Sequence, residues 1–232
     1  MSSNFLKIIS ILLILQVSVL TKEIPCTFVT RSWPKIGNVC ECQTANVNFK
    51  NQNDIVTNVT GILPRDNEIS DVKVFFVYKT TFNYFPEGIE RFFKNLEGIQ
   101  VTKSRLKAIT NENLKPFSNL KGLWLNDNDL ISLEPNLFQF NQQLKVLHFG
   151  NNRLRSIPHD ILDPFEGLAE VSFINNVCVS GEGKTRKEIN VIEWQIMNKC
   201  QMRMCASENK EINRLKSALN DEIFYLLTFL VT

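Results

Sequence analysis

The sequence predicts an α/β solenoid, in which short parallel strands stack one per turn and longer return segments join them. Three observations carry that expectation. Apolar residues recur at a period of 24 through the middle of the chain. Within each period they alternate, as a strand with one buried face requires. The six cysteines flank the array, three before it and three at its end or beyond.

The period is read from Leu120, Leu123, Leu125, Asn128, Leu130 and Leu133, spaced L-x-x-L-x-L-x-x-N-x-L-x-x-L. The pattern returns 24 residues on at Leu144, Leu147, Phe149, Asn152, Leu154 and Ile157, and again at Leu168, Val171, Phe173, Asn176 and Cys178. Backwards it gives Leu96, Ile99, Val101, Ser104, Leu106 and Ile109, then Val72, Phe75, Val77, Thr80, Phe82 and Phe85. The amide of Asn128, Asn152 or Asn176 can both donate to and accept from backbone groups as the chain turns into the interior. A ladder of them would satisfy buried peptide groups. Ser104 and Thr80 hold the same rung with a shorter hydroxyl, which predicts a looser ladder there. Phe93, Phe117 and Phe165 share one position late in the period and form an aromatic row, part of the excess of 17 Phe. One such unit cannot bury its own apolar face, so neighbours must stack.

These residues match the leucine-rich repeat pattern over about 72–178. The resemblance implies a horseshoe with short parallel strands on its concave face, cysteine-containing caps at both ends and a C-terminal helix. The stretch NLEGIQVTKSRLKAIT and the following LKGLWLNDNDLISLEPNLFQFNQQL are similar to small secreted leucine-rich repeat proteins of dipteran insects. More distantly they resemble the mosquito complement-associated immune members. That likeness implies recognition without turnover and, in the immune relatives, pairing through a C-terminal cysteine and a coiled coil.

The ends divide the chain into a signal peptide (1–21), an N-terminal cysteine cap (22–71), the repeats (72–178), a C-terminal cysteine cap (179–205) and a helical tail (206–232). Lys7 precedes an apolar run ending at Leu15, the pattern of a secretory leader. That run falls short of the roughly 20 residues a membrane span needs, and so does the terminal IFYLLTFLVT. Export favours disulfides and makes Asn58-Val59-Thr60 a glycan acceptor. Cys26, Cys40 and Cys42 belong to the front cap, and Cys178, Cys200 and Cys205 to the back. Five strands about 4.8 Å apart hold the caps roughly 20 Å from each other, beyond the roughly 7 Å a disulfide can bridge. Each cap then keeps one cysteine over: Cys40 or Cys42 in front, Cys205 behind. A disulfide from Cys178 to Cys200 could staple the back cap, whose helix takes in Ile189, Val191, Ile192, Trp194, Ile196 and Met197. The spare Cys205 pairs with another chain or is a free thiol. The tail stripe of Ile212, Leu215, Leu219, Leu226 and Phe229, broken by Glu222, suits a helix lying on the domain or a dimer helix.

Charge and motif arguments narrow the function. Lys plus Arg number 26 against 24 Asp plus Glu, which gives no electrostatic reason to expect nucleic-acid or membrane binding. The chain has only two His and no P-loop, G-x-G-x-x-G, H-E-x-x-H or G-x-S-x-G, so neither an enzyme, a metal nor a cofactor is expected. Strand positions that alternate with the buried ones carry Phe76, Gln100, Trp124 and His148, with Tyr78, Lys79, Lys103 and Asp127 beside them. Aromatics among charges, with no core role in this pattern, point to a partner-binding face. No carboxylate is expected directly beside His148; Asp127 is only diagonal to it. The function expected is a non-catalytic secreted protein that takes a protein or glycan partner on its concave face, as a monomer or as a homo- or heterodimer. The alternative is a membrane-tethered adhesion or signalling ectodomain.

Overall fold

The computed structural model describes residues 20–200. Their strands are β1 (Leu20–Pro25), β2 (Thr27–Trp33), β3 (Gly37–Thr44), β4 (Asn48–Phe49), β5 (Asp54–Thr60), β6 (Val72–Tyr78), β7 (Thr81–Phe82), β8 (Gly98–Thr102), β9 (Gly122–Trp124), β10 (Val146–His148), β11 (Glu170–Ser172) and β12 (Glu182–Gly183). Their helices are a single turn, α1 (Asn111–Leu114), and the longer α2 (Arg186–Lys199), besides two 3₁₀ turns.

Eight strands form one sheet in the order β12-β11-β10-β9-β8-β6-β3-β2. Neighbours from β3 to β11 are parallel, whereas β2 on β3 and β12 on β11 are antiparallel. The partners Phe75↔Ile99, Ile99↔Leu123, Leu123↔Leu147 and Leu147↔Val171 each lie 24 residues apart. β1 pairs with β5, and β4 with β7, in two small separate ladders.

This corrects the expected fold class. The described residues make a mixed, mainly β structure rather than an α/β horseshoe, and they do not close into a solenoid. Antiparallel strands cover both sheet ends, and α2 is the one helix among them longer than a turn. The return segments explain the missing helices. Each carries proline (Pro86, Pro116, Pro135, then Pro158 and Pro164), which removes an amide donor and breaks short helices. What remains is too short to repay the cost of nucleating a helix.

The core lies against one face of the sheet. Phe75, Ile99, Leu123, Leu147 and Val171 are fully buried there, as are Val77, Val101, Leu125, Phe149 and Phe173 one alternation on. Phe93, Phe117 and Phe165 are buried behind them, and Phe149 stacks on Phe173 with centroids 5.4 Å apart. Each such side chain contributes about 1.5–3 kcal/mol of burial. The third return puts Asn141 at the position where Phe93, Phe117 and Phe165 stand; its Nδ2 donates to Leu114 O and Phe117 O.

The asparagine ladder is present. Asn128 Oδ1 accepts from the backbone N–H of Ser104 and of Leu106, both at 3.1 Å, while its Nδ2 donates to Val101 O at 2.6 Å. Asn152 accepts from Leu130 N and donates to Leu125 O and Phe149 O. Asn176 accepts from Leu154 N and donates to Phe149 O and Phe173 O. At the earlier rungs the hydroxyls make single bonds, Ser104 to Thr102 O and Thr80 to Val47 O.

Disulfides secure both ends. Cys26 pairs with Cys42 and Cys178 with Cys200. Of the two candidates for the spare front cysteine, Cys40 is the one left over: it is a buried thiol rather than a disulfide partner, and burial raises its pKa. On β3 it is paired with Val72 in the register of the neighbouring strand, which holds it one alternation away from Cys26. The back cap helix begins where Thr185 Oγ1 accepts from Glu188 N and the Glu188 carboxylate accepts from Thr185 N and Lys184 N. Those backbone donors hold the Glu188 carboxyl below its usual range. Ile189, Ile192 and Ile196 face the core, while Val191, Trp194 and Met197 are exposed. Of the expected leader, Leu20 and Thr21 pair with β5. The rest of the leader, Cys205 and the helical tail lie outside the described residues.

Candidate functional site

The face of the sheet opposite the core carries the expected row. Phe76, Gln100, Trp124, His148 and Ser172 are partners on successive neighbouring strands. The row falls into three parts with different chemistry.

Its middle is closed, contrary to the expectation for Trp124. That side chain is on the expected face but only 7 % exposed, so it cannot serve as an exposed anchor. Its ring folds back along β9 over Gly122, where a Cβ would come within 2.1 Å of it, and reaches across Gly98 on the next strand. The tip of the β2–β3 hairpin lies on top. Trp33 meets Trp124 with ring centroids 5.0 Å apart, and Ile36 sits against Gly98. Trp33, Trp124, Val74 and Val146 thus form a second, smaller core. Glu41 is fully buried at its margin; its carboxylate accepts from Trp33 Nε1 and Gln43 Nε2 and pairs with Arg31 Nε at 3.3 Å. Hydrogen-bonded on both oxygens and paired, this carboxylate can stay buried.

The back of the row corrects a second expectation. His148 does have a carboxylate beside it: Glu170 Oε1 is 3.1 Å from Nε2, and Lys184 Nζ is 3.4 Å from the same oxygen. Glu170 is two residues before Ser172 on β11, hence on the same face. Burial lowers the His148 pKa from 6.5, outweighing the attraction of Glu170. The neutral ring donates from Nε2 to the carboxylate, with its edge on Trp124. The pair ties β10 to β11 and, through Lys184, to the segment before α2.

The front of the row is open. Phe76 is half-buried and Tyr78 is 41 % exposed, with ring centroids 6.1 Å apart. Lys103 Nζ stands 5.9 Å from the Tyr78 ring centre. Phe76 and Tyr78 wall a cleft of about 290 Å³ shared with Thr27, Gln43, Thr44 and Asn46. Gln100 donates to Thr102 Oγ1 beside them. Lys79 and Lys103 are exposed and left-handed, with φ of 53° and 52°, and Asp127 continues that column at 57°. A larger cleft of about 380 Å³ lies between residues 136–142 and 160–164, with Asp160 and Asp163 in its lining.

No family model matches the chain. Among the described residues no group of three or more His, Cys, Asp and Glu is placed to hold a metal ion, and no helix is long and apolar enough to cross a membrane. The two disulfides are compatible with an extracellular protein. Asn58 is exposed on β5, where its Nδ2 donates to Glu23.

Proposed function

We propose that the chain is a secreted, non-catalytic binding protein that takes a protein or glycan partner on the open front of its outer sheet face. The observation that carries this reading is the exposed Tyr78 beside the half-buried Phe76 at a cleft, with Lys103 over the Tyr78 ring and Lys79 next in the chain; neither lysine has an ion-pair partner among the described residues. An open aromatic pair beside charge suits recognition better than stability. The disulfides, the leader-like N-terminus and the exposed Asn58 acceptor support export.

The test immobilises the full chain, made through the secretory route, and measures recovery of partners from the extracellular fluid of its source. Phe76→Ser with Tyr78→Ser is expected to abolish specific recovery. Trp194→Ser, at a more exposed aromatic on α2, is expected to leave it intact. Equal loss in both variants would mean that recovery reflects general stickiness.

A further inference from the structure

At the eighth position of each period the chain turns through a left-handed residue: Lys79, Lys103, Asp127, Asn151 and Asn175, with φ between 52° and 57°. At the first four the backbone has the same task, whereas Asn175 N–H donates to Ser180 Oγ. Lys79 N–H donates to Thr102 O, Lys103 to Asn126 O, Asp127 to Gly150 O and Asn151 to Ile174 O. Asn and Asp tolerate this conformation, because a short polar side chain can bond locally; a long side chain gains nothing there. The later three positions follow that preference, and the first two break it with lysine. Arg105 close by is left-handed as well, at φ 61°. None of the three cations has a salt bridge among the described residues, and Lys103 is instead held over the Tyr78 ring at 5.9 Å. Lysine kept in a turn that favours Asn or Asp, and turned to an open aromatic surface, points to function.

Of these cations Lys103 reaches toward the open cleft, with its Nζ 5.9 Å from the ring centre of Tyr78 on the cleft wall, and Lys79 follows Tyr78 directly in the chain. The cleft walls are two aromatic rings, hydroxyls at Thr27 and Thr44 and amides at Gln43 and Asn46, with Pro25, Cys26 and Ala45 completing the lining. Gln43 spends its Nε2 on Glu41, which leaves its carbonyl oxygen as an acceptor. Amides and hydroxyls beside aromatic rings suit a ligand that carries both hydroxyls and an apolar face, as a sugar ring does. The flat ring faces offer a stacking surface, and the adjacent ammonium groups offer charge-assisted bonds to an anion.

We infer that this cleft is a subsite for an anionic saccharide, with the sugar ring against Tyr78 and Phe76 and its sulfate or carboxylate on Lys103 and Lys79. At about 290 Å³ it is at the small end of ligand clefts, so it takes a short piece of a longer glycan. The inference rests on the proposed binding face and names the ligand class of that face.

The test titrates the full chain with a heparin-derived tetrasaccharide (sulfated) and with a hyaluronan tetrasaccharide (carboxylate only), by calorimetry at two salt concentrations. Binding of at least one, weakening as salt rises, is expected. Comparing the two tells sulfate from carboxylate. Tyr78→Ala and Lys103→Asn are each expected to raise Kd about tenfold. Lys103→Asn should do so with an unchanged or higher melting temperature, which separates lost binding from lost folding. Trp194→Ser is the unaffected control. No binding of either saccharide, or binding indifferent to both variants, overturns the inference. An acidic peptide that binds in their place, with the same sensitivity to the variants, overturns it in favour of peptide recognition. If saccharides do not bind while partner recovery still depends on Phe76 and Tyr78, only the ligand class is wrong. If that recovery also proves independent of them, the binding face falls too.

Discussion

The two ends of the sheet make the same turn with different residues. Behind Asn128, Asn152 and Asn176 every strand end is tied by a side-chain amide that bonds three or more backbone groups, after a left-handed Asp or Asn. In front, at Thr80 and Ser104, a hydroxyl makes one side-chain bond and the left-handed residue is lysine. The back follows the residue preferences of its backbone, and the front departs from them where the outer face is open and aromatic. Local stability and surface chemistry are thus divided along the length of one sheet.

The sharpest way to break that contrast is at the ladder. Asn152→Ala leaves Leu130 N, Leu125 O and Phe149 O without their bonds and is expected to cost about 2–4 kcal/mol. Thr80→Ala loses the single bond to Val47 O and should cost about 1 kcal/mol. Urea unfolding monitored by far-UV circular dichroism compares them, and equal losses would erase the distinction. Next in size is Gly122→Ala, whose Cβ must displace the Trp124 ring. A loss of about 1–3 kcal/mol is expected, with a shift in tryptophan emission as the contact with Trp33 loosens.

The pH dependence sharpens the middle of the sheet. The His148 pKa is lower in the folded chain than the ordinary 6.5. Between those two values the unfolded chain holds the extra proton, so stability should fall as pH drops through 6.5 and level off below the folded pKa. His148→Gln should flatten that part of the profile in melting experiments at pH 5 to 8. The smallest effect belongs to the front turn. Lys103→Asn should stabilise by about 0.5–1 kcal/mol, whereas Asn151→Lys at the equivalent turn should destabilise by a similar amount.

Much of the core was legible, because alternation and a constant period report burial directly. Phe75, Ile99, Leu123, Leu147 and Val171 are all fully buried on one face. The asparagine rung was legible for the same reason, since an amide at a strand end has few other uses. Helix content was overestimated because a repeat pattern suggests helical returns, and the prolines in those returns were not weighed against it. The cover over Trp124 left no periodic trace: it comes from Trp33, outside the array, on a hairpin that folds over the sheet. Gly98 and Gly122 were the available clue, since glycines at matching positions beside a large ring mark a place where that ring lies down. Glu170 escaped notice because it meets His148 through same-face spacing within β11 rather than directly across the strands.

The measurement that addresses the division of the sheet most directly is amide hydrogen exchange of the full chain with and without the heparin tetrasaccharide. Added protection is expected in peptides covering 43–46, 76–79 and 100–105, at the open front, and none over 126–176. Added protection spread along the asparagine ladder, or none at the front with the saccharide bound, would contradict it.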